Sequence, residues 1–116
     1  MLDKPLDQKI IIITGAAGLL GRQHAEAVAA AGAHPVLLDL HSDPLQEMAG
    51  QLEKDHGIHP LPLAADITDK SALNECLATI LKTHGHIDGL INNAANNPKM
   101  EAGADTGWLR FENLPL

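Results

Sequence analysis

Three glycines spaced three apart, Gly15, Gly18 and Gly21, fall in the run Thr14-Gly15-Ala16-Ala17-Gly18-Leu19-Leu20-Gly21. A turn of this kind suits a pyrophosphate, which requires close backbone approach, free N–H groups and a helix N-terminus aimed at it. The glycines permit the turn and the approach, Ala16 and Ala17 keep its mouth open, and Gly21 lets the helix pack tightly on the strand. The spacing departs from plain G-x-G-x-x-G at Ala16, and no Gly-Lys-Ser/Thr follows that would make a Walker A loop. Eighteen positions after Gly21 stands Asp39. A carboxylate at the end of the second strand accepts both ribose hydroxyls of an adenosine and repels a 2′-phosphate, and no Arg or Lys lies between residues 36 and 51 to receive one. Together these residues predict a dinucleotide site that takes NAD rather than NADP.

The elements around them alternate. Residues 9–14 are continuous and β-branched, as in a strand buried on both faces. Residues 19–31 are rich in Ala and Leu and stop at Gly32. Residues 34–39 form a second apolar strand, with Pro35 acceptable only near its start. A helix over 43–56 carries Leu45, Met48, Ala49 and Leu52 at helical spacing, with Ser42 or Asp43 as N-cap, Pro44 in its first turn and Gly57 after it. Residues 59–64 read as a strand weakened by Pro60 and Pro62, hence at a sheet edge. Thr68 or Asp69 caps a helix over 71–83, and residues 87–92 form the fourth strand. The order β-α-β-α-β-α-β predicts an α/β, Rossmann-type, doubly wound parallel sheet of strand order 3-2-1-4. After Asn93 the pattern becomes loop, with Asn96-Asn97-Pro98 and residues 103–107.

Composition excludes other classes. With 45% hydrophobic and 20% charged residues in 116, the chain is an ordinary globular one, without repeats or low-complexity tracts. Eight basic against fifteen acidic residues give a net charge of −7, the wrong sign for binding nucleic acid or an anionic membrane. No apolar run is long enough to span a bilayer, and the N-terminus lacks a signal-peptide pattern. One cysteine, Cys76, suits a cytoplasmic setting and reads as a buried, inert thiol. Seven histidines (24, 34, 41, 56, 59, 84 and 86) include one H-x-H but no ligand set in metal spacing, so most of them are expected to cap helix ends or face solvent, with no metal bound.

The motifs and their order resemble the short-chain dehydrogenase/reductase family over nearly the whole chain. The resemblance implies that Gly15, Ala17, Gly18, Leu19, Leu20 and Gly21 hold the pyrophosphate side of the cofactor and Asp39 the adenosine ribose. Asp66-Ile67-Thr68-Asp69 is similar to the family's adenine-contacting segment, with Asp66 accepting from the adenine amino group and the Ile67 backbone meeting the ring. Asn92-Asn93-Ala94-Ala95 resembles the motif that closes the fourth strand, with Ala95 in place of Gly. There Asn93 and Ala94 line the ribose and Asn93 also ties neighbouring strands together. The implied activity is NAD(H)-dependent oxidoreduction that interconverts a carbonyl and an alcohol on a small hydroxylated substrate.

Two departures keep alternatives open. The Gly15/Gly18/Gly21 spacing is that of the family's extended branch, which includes sugar-nucleotide epimerases and dehydratases; the other main branch places Gly where Leu19 stands. Hydride transfer in the family uses a Tyr with a Lys four residues on, a Ser and an Asn, all beyond the fourth strand. This chain has no Tyr, so no catalytic residue is assigned. Residues 1–116 are therefore expected to be a single NAD(P)-binding domain, the cofactor half of a longer protein, and a non-catalytic NAD-binding module is the third reading. Arg22 is placed either on a phosphate or on a solvated helix face, and Asp88 in the turn into the fourth strand. If the fold stops at Leu116, the fourth strand is an open edge without protecting Lys or Pro. Self-association through it, with Trp108, Leu109 and Phe111 as packing residues, is then expected.

Overall fold

A computed structural model describes residues 4–93. Within them the chain runs β1 (Ile10–Thr14), α1 (Leu19–Ala30), β2 (His34–Asp39), α2 (Ser42–His56), β3 (Leu61–Ala64), α3 (Lys70–His84) and β4 (Gly89–Ile91). All strand pairs are parallel and the sheet order is β3-β2-β1-β4, as the sequence predicts. Ala94, Ala95, Trp108, Leu109 and Phe111, and the roles expected of them, fall outside the described residues.

The central strands are apolar throughout because helices cover both sheet faces. Successive side chains of β1 and β2 alternate between those faces. Ile11, Ile13 and Leu37 pack with Ala25, Val28 and Ala29 of α1 and Leu45, Met48, Ala49 and Leu52 of α2. Ile10, Ile12, Val36 and Leu38 pack with Leu73, Cys76, Leu77 and Ile80 of α3. On α1 the sheet-facing stripe is Gly21, Ala25, Val28 and Ala29, small residues that bring the helix axis close to β1. Pro35 is tolerated in an inner strand because neighbouring residues of a parallel strand send their N–H groups to opposite partners. His34 donates to Lys9 of the β1 side, so the missing Pro35 N–H faces the β3 side, where pairing begins only at Val36 opposite Leu61.

Several element ends differ from the sequence expectation, each for a local reason. The third strand begins at Leu61 rather than 59 because the His59 N–H donates to the His34 ring and Pro60 has no N–H. The fourth begins at Gly89 rather than 87 because the Asp88 carboxylate takes the Ile10 N–H at 2.8 Å. It ends at Ile91 because the Asn93 N–H turns to the Thr14 hydroxyl at 2.9 Å. The second helix starts at Ser42, so Ser42 and Asp43 lie inside it; His41 is the N-cap and no side chain caps that end. The third helix spans Lys70–His84 and its cap is Asp69 rather than Thr68: Asp69 Oδ1 accepts from the Ser71 and Ala72 N–H groups at 3.0 and 3.2 Å.

That cap is a stability test. Asp69→Ala is expected to destabilise the fold by about 1 kcal/mol, the usual cost of losing a side-chain N-cap. Thr68→Ala, by contrast, leaves α3 capped. Chemical denaturation of the two variants distinguishes them; equal losses would contradict the cap assignment.

Candidate functional site

The carboxyl ends of all four strands meet at one edge of the sheet. Thr14 lies opposite Leu38, Asp39 opposite Ala64, and Ile13 opposite Ile91. The chain goes from β1 to β2 and β3 on one side, then returns to place β4 on the other side of β1. This is the switch point where open α/β sheets leave a crevice.

The glycine turn bridges β1 and α1 in that crevice. Gly15 has φ +65°, a left-handed conformation that side chains disfavour. The turn is held on three sides: the Ala16 N–H donates to the Leu38 carbonyl at 3.1 Å, Ala17 N–H to Asp39 Oδ2 at 2.8 Å, and Gly18 N–H to the Gly15 carbonyl at 3.1 Å. The start of α1 has Gly18 as N-cap, no side-chain cap and no acidic residue in its first turn. No side chain of its own first turn neutralises its positive end, and Leu19 and Leu20 beside it are 83% and 55% exposed. An exposed, uncapped helix start next to a glycine turn fits a phosphate-bearing ligand.

Asp39 sits where the sequence places it, at the end of β2, but its carboxylate already has partners. Oδ2 accepts from Ala17 and Oδ1 from the Leu40 N–H at 2.7 Å. It thus connects the second strand to the glycine turn, a connection that spacing alone does not give. Next to it, the Ala65 N–H donates to the Asp39 carbonyl at 2.8 Å and brings the Asp66–Asp69 turn to the same rim. Asp66 Oδ1 accepts from both the Thr68 hydroxyl at 2.6 Å and the Thr68 N–H at 2.9 Å. These bonds, the hydroxyl first, hold its carboxyl below the usual carboxylate range. Ile67 packs on the α3-side core.

On the other flank, β1 and β4 are tied by a polar bridge. Thr14 Oγ1 donates to Asn92 Oδ1 at 3.1 Å and accepts from the Asn93 N–H at 2.9 Å. Asn93 Nδ2 donates to the Gly15 carbonyl at 3.3 Å. The strand-tying role expected of Asn93 is present; the part played by Asn92 was not anticipated. Arg22 donates from Nε to the Ala17 carbonyl at 3.0 Å, so it braces the turn from outside. Asp88 forms the expected turn at the opposite end of β4, its carboxyl lowered chiefly by the Ile10 N–H. The Cys76 thiol is buried, and that burial, with Glu75 nearby, raises its pKa above the ordinary thiol value. It lies in the α3 core, away from the turn.

One histidine departs from the expected helix-end or solvent-facing positions. His34 is buried and its ring stacks on His59, centroids 5.3 Å apart, and on His84 at 5.6 Å. The signal for this was topological: the β2–β3 register, extended two residues, sets His34 opposite His59. His56 pairs with Glu26 of α1 at 2.6 Å and His86 with Asp88 at 2.8 Å. Among the described residues no group of three or more His, Cys, Asp or Glu is placed to hold a metal, and no helix is long and apolar enough to cross a membrane.

Comparison with known proteins agrees with this architecture. Residues 9–111 match the family model for short chain dehydrogenase. The chain is 36% identical over 90 residues to a sorbitol dehydrogenase of Cereibacter sphaeroides, covering 78% of this chain and 34% of that protein. Among solved structures it is similar to L-sorbose reductase of Gluconobacter frateurii, in complex with NADPH and L-sorbose. There the TM-score is 0.77 at 30% identity, over 97% of this chain and 44% of that one. It is likewise similar to an NAD⁺-bound xylitol dehydrogenase, with TM-score 0.74 and 26% identity over 78% of this chain and 35% of that one. The chain spans about a third to less than half of the length of these relatives. A parallel sheet in the order 3-2-1-4, a glycine turn at its switch point and a family match over residues 9–111 lead to one conclusion: the chain belongs to the short-chain dehydrogenase family.

Proposed function

We propose that residues 1–116 are the cofactor-binding half of an NAD(H)-dependent oxidoreductase that interconverts a carbonyl and an alcohol on a small hydroxylated substrate. The observation that carries the reading is Asp39, a carboxylate at the end of β2 that touches the glycine turn through Ala17. Relatives that act on sorbitol, sorbose and xylitol support a polyol or its ketose as the substrate class.

In this reading the nicotinamide, when bound, gives or accepts the hydride. The residues of this chain bind and orient. Leu19, Leu20 and Gly21 at the start of α1 face the pyrophosphate with their backbone N–H groups and the positive helix end, and the turn from Gly15 through Ala17 and Gly18 lets it approach closely. Asp39 accepts from the adenosine ribose diol, Asp66 and Ile67 receive the adenine, and Asn93 with Ala94 and Ala95 borders the second ribose. Thr14 and Asn92 hold Asn93 in place. A cytoplasmic setting fits the single cysteine. Association of the protein with a second copy of itself is part of the same reading.

Calorimetric titration of the chain with NADH and NADPH tests the cofactor assignment. Saturable NADH binding with NADPH weaker by about tenfold or more is expected, since like charges near 4 Å repel by roughly 1–3 kcal/mol after solvent screening. Equal affinity for the two would refute it.

A further inference from the structure

The histidine stack lies at the end of the sheet opposite the glycine turn and has no part in the cofactor reading. His34 opens β2, His59 precedes β3, and His84 is the last residue of α3. His34 uses both ring nitrogens. Its Nδ1 accepts the backbone N–H of His59 at 3.0 Å. A backbone N–H only donates, so Nδ1 must carry a lone pair and the ring proton resides on Nε2, which donates to Gln8 Oε1 at 3.1 Å. Gln8 is held for this contact in a left-handed conformation, φ +64°, with its own N–H donating to the Gly32 carbonyl at 3.1 Å. The bond from His59 to His34 takes the place of a ladder bond ahead of β3, an edge strand of four residues that includes Pro62.

We propose that this stack is a proton-operated clamp: a proton taken up by His34 breaks its bond to the His59 N–H and releases the edge strand β3 from β2. An imidazolium has no lone pair, so a protonated Nδ1 sets one N–H against another. The same charge then faces the stacked rings of His59 and His84, at 5.3 and 5.6 Å. The remaining titratable and charged neighbours are Asp7, from the turn before β1, and His86, which follows α3 and is paired with Asp88. Burial, and then His59, lowers the pKa of His34 against a smaller opposing pull from Asp7. Burial, followed by His34, His59 and His86, lowers that of His84, whose Nε2 is buried with no partner among the described residues.

The sign follows from linkage. With both pKa values depressed in the closed form, the open form binds more protons below the ordinary histidine value of about 6.5. The closed form therefore loses ground as pH falls from there, until its own pKa values are passed. Each linked proton changes the opening equilibrium by about tenfold per pH unit, so the two rings together give up to about a hundredfold.

Hydrogen exchange of the whole chain between pH 7.5 and 5, corrected for intrinsic rates, tests the proposal. The amides of His59, Leu61 and Leu63 should lose protection by about ten- to a hundredfold per pH unit below about 6.5 while those of Ile12 and Ile13 keep theirs. His34→Asn keeps an acceptor near the Nδ1 position but cannot take a proton, and should reduce that dependence by about tenfold per pH unit. Constant β3 protection, a uniform loss in every strand, or identical pH dependence in wild type and variant would overturn the clamp. Should the variant not fold, NMR titration of the wild type decides: the His34 ring and the His59 amide should shift together with a midpoint below about 6.5, and a midpoint at or above it is contrary.

Discussion

Gly21→Ala should lower the melting temperature by about 10 °C or more, whereas Gly18→Ala should shift it by only a few degrees. A Cβ at Gly21 falls 2.1 Å from the Gly15 carbonyl oxygen, 2.8 Å from the Ala16 Cα and 2.9 Å from the Gly15 carbonyl carbon. All three are backbone atoms of the turn itself, so no rotamer change relieves the clash. Either α1 lifts from β1 or the turn deforms, and overpacking of this kind costs about 1–3 kcal/mol or more. Lifting α1 also loosens Ala25 and Ala29, both fully buried against the sheet. At Gly18 the added carbon meets only the Gly15 oxygen, at 3.4 Å, and the backbone there has an ordinary extended φ of −74°. Thermal unfolding of the two variants side by side measures the difference; similar melting temperatures would mean that α1 does not approach β1 as described. The outcome concerns packing and is independent of any ligand.

Asp39→Ala should weaken NADH binding by about ten- to a hundredfold, the range for losing hydrogen bonds to a charged group. The same change should bring NADPH closer to NADH by removing the repulsion between the carboxylate and a 2′-phosphate. The present partners of the carboxylate refine this expectation. Oδ2 holds the Ala17 N–H and Oδ1 the Leu40 N–H, so the alanine variant also frees two backbone donors at the rim. Asp39→Asn separates the effects, because its amide oxygen still accepts from Ala17 while the negative charge is gone. If charge decides cofactor choice, Asn recovers NADPH binding as Ala does but retains more NADH affinity. If both variants keep the wild-type preference for NADH, Asp39 is a brace for the turn and not the selector.

Much of the fold was legible because its signals are local. Four consecutive isoleucines in β1 and the apolar run of β2 could only be strands covered on both faces. The apolar stripe of α2, ending at Gly57, fixed its exposed and buried sides. The alternation of strands with helices of this length leaves little besides right-handed parallel crossovers, and hence the order 3-2-1-4. The candidate site was legible for the same reason: a glycine turn between a strand and a helix, and an acid at the end of the next strand, are spacings along one chain.

What the tertiary structure decided are the contacts between residues far apart in sequence. No local rule indicates that the Asp88 carboxylate takes the Ile10 N–H, that Asn92 and Asn93 meet Thr14 across the crevice, or that Asp39 reaches back to Ala17. Each of these bonds satisfies a polar group at a strand end, where the regular ladder runs out of partners and the nearest donor or acceptor is set by which strands lie side by side. The histidines make the same point most clearly. His34, His59 and His84 lie 25 residues apart, an interval that matches no helix or strand period, and each alone reads as an ordinary surface residue. Only the register of β2 against β3 and the return of α3 to the amino end of the sheet set the three rings in one stack. The sequence determined which elements form and which faces they bury, because those follow from neighbours along the chain. Side-chain partners at the element ends depend on the distances that packing alone creates.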